Sequence, residues 1–180
     1  MLGGTHMTRK TIVPAVVGIS LLIGVQAHAQ QVSPDDALMT PEGVVAELYD
    51  LVTFDPGTSP DWDYAKTLFL PEAVVVLRTG RESTNQLTVD GWVADFERFI
   101  EDDNVVETGF IEAIVTTAPW VFKDIAHILV LYEAGFPNND RRQYGIDAIS
   151  LVKKDSRWWI AGILNEIPDR DNPIPAELRP

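Results

Sequence analysis

Gly145-Ile146-Asp147-Ala148-Ile149-Ser150-Leu151-Val152-Lys153-Lys154-Asp155-Ser156-Arg157-Trp158-Trp159-Ile160-Ala161-Gly162-Ile163-Leu164-Asn165-Glu166-Ile167-Pro168 is the stretch that decides the fold. Two runs rich in β-branched and aromatic residues, Gln143 to Lys153 and Trp158 to Ile167, flank Asp155-Ser156, which has turn chemistry. That pattern predicts a long antiparallel hairpin. Upstream, Phe110 to Thr117 and Val121 to Ala134 read as two more strands, joined by a turn at Ala118-Pro119. The loop Gly135-Phe136-Pro137-Asn138-Asn139-Asp140 leads from them into the final pair.

Further upstream the period changes. Val44, Val45, Leu48, Leu51 and Val52 recur at helical spacing after Thr40-Pro41, a cap followed by a first-turn proline. A second, shorter helix runs from Ser59-Pro60-Asp61 to Leu68, with Pro71 stopping it. Ala73 to Arg78 is a buried strand, and Thr79-Gly80-Arg81 turns the chain. A third helix, about Gly91 to Glu101, carries Trp92, Phe96 and Phe99 on its apolar face. Helices followed by a run of long strands define an α+β class, with three N-terminal helices packed on one face of a curved antiparallel sheet.

The N-terminus reads as an export leader. Arg9 and Lys10 precede an uncharged run from Thr11 to Val25, and Ala27-His28-Ala29 is a small-x-small cleavage pattern. Fifteen residues fall short of the roughly 20 that a membrane span needs. The expected arrangement is a signal peptide at 1–29, a disordered lead-in at 30–39, one domain at 40–168 and an extended proline-rich tail at 169–180. Either Met1 or Met7 serves as the start. The predicted location is periplasmic or secreted.

Of the chain's 180 residues, 14 are basic and 27 acidic. Cleavage after Ala29 removes two of the basic residues and no acid, leaving a net charge of −15. Such a surface repels nucleic acid and anionic membranes, so neither is expected as a partner once the leader is gone. Zero Cys excludes disulfides and thiol chemistry. His127 is the one His beyond the leader, so no histidine-rich metal site is expected. Nor does the sequence carry a glycine-rich phosphate loop or a nucleophile elbow. No cofactor is expected.

Several segments carry a resemblance: Leu68-Phe69-Leu70-Pro71-Glu72-Ala73-Val74, Asp124-Ile125-Ala126-His127, Tyr132-Glu133 and the closing hairpin. Over nearly all of 40–180 the chain resembles the nuclear transport factor 2-like superfamily, in particular its bacterial SnoaL-like branch. The resemblance implies a cone in which the bent sheet and the helices enclose a pocket. Members include isomerases, cyclases, dehydratases and inactive binding subunits, so fold does not deliver function. The isomerases carry a base Asp on the strand after helix two and a protonated Asp on the penultimate strand. Matched to this chain, those positions fall on Leu77 and Ser150. A Leu takes no proton and a Ser is a weaker donor than a neutral acid, so the isomerase mechanism does not carry over.

Alternation along the strands then sets the pocket wall. If Ser150 points inward, so do Ala148 and Val152, together with Trp159, Ala161, Ile163 and Asn165. Both faces of the sheet are apolar, which predicts a homodimer through the outer one. His127 is the sharpest catalytic candidate, with Asp147 one strand away as its acid partner. Asp147 and Ser150 have opposite parity, so His127–Asp147 and Ser150–Asn165 are rival sites. Tyr49 stands where relatives place a pocket phenol. Trp62, Leu77, Phe96 and Phe99 complete the expected wall, with Trp92 as wall or core. Arg78, Glu133 and Tyr144 are further polar candidates near the mouth. The expected partner is a small apolar or aromatic molecule. Three roles remain: an exported binding protein, an acid–base enzyme using His127, or a structural subunit.

Overall fold

A computed structural model describes residues 34–80, 82–102 and 104–180. The expected leader lies outside the described residues. Thr40 caps α2 (Pro41–Val52) by accepting from the Gly43 amide at 3.0 Å, and the helix buries Val44, Val45, Leu48, Tyr49 and Val52. After α3 (Trp62–Lys66) come β1 (Phe69–Gly80), β2 (Ser83–Thr88), α4 (Val89–Asp102) and α5 (Val105–Thr108). The chain then forms β3 (Ile111–Phe122), β4 (Ile125–Gly135), β5 (Gln143–Lys154) and β6 (Arg157–Glu166). The six strands make one sheet in the order β2-β1-β6-β5-β4-β3. All neighbours are antiparallel except β1 and β6, which run parallel. The class is therefore α+β as expected, with one parallel pair that the strand pattern does not reveal.

Three local expectations are corrected. Ala118-Pro119 is not a turn. β3 runs through it to Phe122, and the reversal falls at Lys123, whose φ is 53°. Pro119 is tolerated because β3 is an edge strand, where a missing N–H costs no ladder bond on the open side. Within the expected lead-in, Pro34–Ala37 forms the short helix α1, Leu38 is buried, and its carbonyl accepts from the Trp158 amide at 2.9 Å. The tail is not simply extended. It folds back through a 3₁₀ turn at Ala176–Leu178, and Leu178 is fully buried against β3 and β4.

The decisive hairpin has one irregularity. Pairing steps from Ser150↔Gly162 to Leu151↔Ile160, so Ala161 is an extra residue on β6. A bulge of this kind resets the parity of the bulged strand. Trp158 and Ile160 therefore face the helices on one side of it, and Ile163 and Asn165 on the other. On β5 the inward set is Asp147, Ile149 and Leu151. The predicted inward set of Ala148, Ser150, Val152, Trp159 and Ala161 is overturned, while Ile163 and Asn165 keep their inward assignment. Complete burial of side chains such as Ile149 and Ile160 stabilises the fold by roughly 1.5–3 kcal/mol each.

Candidate functional site

Each functional side chain follows from its element's period. The buried face of α2 points Leu48, Tyr49 and Val52 at the sheet. Alternation brings Tyr132 of β4, Asp147 of β5 and Asn165 of β6 to the same side. Tyr132 lies opposite Gly145 on the neighbouring strand, and a Cβ at 145 would collide with its phenol ring. Glycine at this position lets the ring lie flat across β5. Thr53, just past α2, holds the β3 end by accepting from the Glu112 amide at 2.9 Å and donating to its carbonyl at 3.0 Å.

These side chains surround a cavity of about 290 Å³. Its apolar wall comprises Leu48, Val52, Val75, Leu77, Trp92, Phe96 and Ile163. Its polar end is a hydrogen-bonded chain. The Tyr49 hydroxyl donates to Asp147 Oδ2 at 2.7 Å, and Asn165 Nδ2 donates to Asp147 Oδ1 at 2.8 Å and to the Tyr132 hydroxyl at 2.9 Å. Tyr132 accepts there, so its own proton is left to donate. At the rim, Arg78 pairs with Glu166 at 3.0 Å. A second cavity of about 560 Å³ adjoins the first. The two share Glu112 and Tyr132 as lining, and the outer one adds Phe99, Phe110, Phe136, Arg141 and Arg142.

Burial dominates the electrostatics. Desolvation raises Asp147 above the usual carboxylate range, although the bonds from Asn165 and Tyr49 favour its charged form. Desolvation, then the Asp147 charge, pushes the phenols of Tyr49 and Tyr132 up, so both stay protonated at any physiological pH. Glu112 is pushed up to about 8, first by desolvation and then by Asp147. Its carboxyl has no hydrogen-bond partner among the described residues. It is ringed by protein yet open to the cavity, so it keeps some exposed surface while titrating as a buried group.

The predicted residues divide cleanly. Tyr49, Leu77, Phe96, Ile163, Asn165 and Asp147 line the inner cavity. His127 does not. It is exposed on the opposite face of the sheet, where its Nδ1 lies 3.2 Å from Ser150 Oγ. Neither rival pairing forms: the structure joins His127 to Ser150 outside and Asp147 to Asn165 inside. Even parity on β5 faces away from the helices, which removes Ser150 from the wall and leaves His127 outside the inner cavity. Trp159 also faces outward, with the Arg157 guanidinium 3.6 Å from its ring centroid and its Nε1 donating to the Lys154 carbonyl at 3.1 Å. Trp62 stands behind the wall, edge-on to Trp92 at 5.8 Å, and Phe99 lines the outer cavity. Glu133 and Tyr144 face each other across β4 and β5 on the outward parity, away from the cavity.

Glu112 and Tyr132 were absent from the predicted wall. A signal for Glu112 exists in the sequence: it is the one acid in the strand segment Ile111-Glu112-Ala113-Ile114-Val115, where a charge on either face demands a reason. The penultimate strand does present an acid to the cavity, but it is Asp147, three residues before the position matched by resemblance.

Solved structures share this architecture. A protein of unknown function with a cystatin-like fold from Nostoc punctiforme PCC 73102 superposes with a TM-score of 0.56 at 12% identity, over 79% of this chain and 98% of that one. A protein from Novosphingobium aromaticivorans DSM 12444, provisionally named a scytalone dehydratase, gives 0.53 at 12% identity over 71% and 81%. A nuclear transport factor 2-like protein of unknown function from Pseudomonas aeruginosa gives 0.52 at 13% over 71% and 94%. No protein-family model and no curated protein sequence matches the chain. The fold is that of the nuclear transport factor 2-like proteins.

Proposed function

We propose that this chain is an exported binding protein for a small, largely apolar or aromatic molecule carrying one polar end. The observation that supports this reading best is the shape of the inner cavity: an apolar and aromatic wall closing on the hydrogen-bonded polar cluster of Tyr49, Asp147, Asn165 and Tyr132. An apolar pocket with a few convergent polar groups is the usual form of a small-ligand site. The open volume speaks against a purely structural subunit, whose core side chains would fill it. Export rests on the leader pattern of residues 9–29. The test is native mass spectrometry of protein secreted with its leader intact, with N-terminal sequencing of the product. A species heavier than the chain from Gln30 to Pro180 by a few hundred daltons is expected. An unliganded chain that no aromatic compound in a thermal-shift panel stabilises would sink the binding reading, and an uncleaved N-terminus would sink the export reading.

A second reading, acid–base catalysis, is favoured by one observation: the unpartnered Glu112 carboxyl with a pKa of about 8 inside a cavity. It replaces His127, which has no access to the cavity, as the proton carrier. The dehydratase name borne by one structural neighbour is consistent with this reading but carries only fold-level weight. Deuterium exchange next to the carbonyl of aryl ketones, followed by NMR, checks it. The exchange should disappear in Glu112→Gln.

A further inference from the structure

The inner cavity holds two carboxyl groups, Glu112 and Asp147, against one cation, Arg78, and Arg78 is already paired with Glu166. Asp147 has two donors of its own from Tyr49 and Asn165. Glu112 has none. Four aromatic residues line the same cavity: Tyr49 and Tyr132, whose rings are 5.7 Å apart and which both feel the Glu112 charge, and Trp92 and Phe96, whose rings are 6.2 Å apart. A carboxyl without a partner, in a cavity lined by aromatic rings and only partly open to water, lacks one thing, a cation that fits the space.

The other charges near Glu112 do not supply it. From β5 comes Asp147, from β4 and α2 the neutral phenols of Tyr132 and Tyr49, and from β1 Arg78 across the inner cavity. On the outer side, Arg142 is spent on the carbonyls of Phe136, Asn139 and Arg141. Arg141 lines only the outer cavity, and neither arginine lowers the Glu112 pKa. The chain's strong negative charge also draws cations towards it.

We infer that the ligand is a small arylalkyl amine, bound as its ammonium ion, with the ring against Trp92, Phe96 and Ile163 and the nitrogen on Glu112, beside the Tyr49 and Tyr132 rings. The inference rests on the binding reading above and names the polar end of its ligand. A volume of about 290 Å³ suits a single ring with a short arm. In the free protein Glu112 holds its proton up to about pH 8, so amine binding expels that proton and strengthens as pH rises.

The test is calorimetric titration of the whole protein with 2-phenylethylamine, 2-phenylethanol and phenylacetate. At about pH 8.5 the amine should bind between about tenfold and a hundredfold tighter than the alcohol, the range a charge-assisted contact supplies. Below pH 8 its affinity should drop about tenfold per pH unit while that of the alcohol stays level. Titration at about pH 7 in buffers of different ionisation enthalpy should show close to one proton released per amine bound. Glu112→Gln should bring amine and alcohol together. Equal binding of amine and alcohol, tighter binding of phenylacetate, or no proton release from the unaltered protein overturns the amine assignment and leaves the pocket reading standing. Failure of all three compounds to bind overturns both.

Discussion

Two polar pairs cross β5 three residues apart, and they behave as different chemistry. On the outer face His127 meets Ser150 at 3.2 Å in a row that also holds Trp120 and Gly162. On the inner face Asp147 meets Asn165 at 2.8 Å. The residue types alone favour the outer pair, since histidine is the commonest proton carrier near neutrality. The surroundings reverse the ranking. Water can replace every bond the outer pair makes, so those bonds are worth little. Asp147 is only 8% exposed, and its partners, Tyr49 and Asn165, are held by a helix and a strand. What a polar group can do here depends on which side of the sheet it is on.

The largest expected difference between the faces lies in packing. Ile149, fully buried and next to Ser150, faces the helices. Ile149→Ala should cost about 2–5 kcal/mol by creating a cavity, whereas Ser150→Ala should stay within about 0.5 kcal/mol. Urea midpoints of the two variants decide it. Similar losses in both, measured on dilute protein, would mean that the two sides do not differ in packing and that the contrast between them is wrong.

Next comes Gly145. The position needs no unusual backbone; its φ is not positive, so alanine strains nothing by itself. Only the Tyr132 ring objects. Gly145→Ala should therefore cost about 1–3 kcal/mol through overpacking, swing the phenol off Asn165 and reduce ligand affinity. The double variant with Tyr132→Ala should be less unstable than the two single losses added together, as expected for residues in contact. Strict additivity would mean that the ring and residue 145 do not press on each other.

The sequence carries the element types and the class, because Val44 to Val52 and the strands of the closing hairpin have clean periods. It does not carry the parity of that hairpin. Trp158, Trp159 and Ile160 are apolar in either phase, so nothing in composition shows that Ala161 bulges or which face looks at the helices. Strand alternation alone puts Asp147 and Asn165 in rival sites, because it leaves open which parity of β5 faces the helices and the bulge at Ala161 is invisible in it. β2 leaves no strand signal in the sequence because Ser83-Thr84-Asn85-Gln86 is polar throughout, as suits a strand at the sheet's edge. Pro119 suggests a turn because proline breaks central strands; that β3 is an edge is a tertiary fact.

The third difference is electrostatic. Glu112 is raised from an ordinary 4.5 to about 8 in the fold, so the folded chain holds a proton that the unfolded chain has released. Its contribution is fully present below about pH 4.5 and is lost as pH rises to about 8. Across that window stability should decline by at most about 1.4 kcal/mol per pH unit from this group. Asp147 shifts in the same direction. Chemical denaturation between pH 5 and 8 should show a flatter profile for Glu112→Gln than for the unaltered chain. An unchanged slope would place the carboxyl in water.

The smallest effects belong to the outer row, and they probe the contrast from its other side. His127→Ala removes one exposed bond to Ser150, so stability should change by less than about 0.5 kcal/mol and ligand affinity should not change at all. A drop in affinity would connect His127 to the cavity and reinstate it as a functional residue. The same face still has one role open to it. Trp120 is 60% exposed and stacks near Phe122, and Ile125 and Leu164 are also exposed. Leu178 of the tail covers only part of β3 and β4. We propose that a second copy of the chain covers the remainder. Trp120→Ser should then leave the urea midpoint of dilute protein within about 0.5 kcal/mol of the original, yet shift the sedimenting species from dimer to monomer. A monomer before substitution would leave the aromatic outer face without the second copy, while the inner cavity and its ligand chemistry would be untouched.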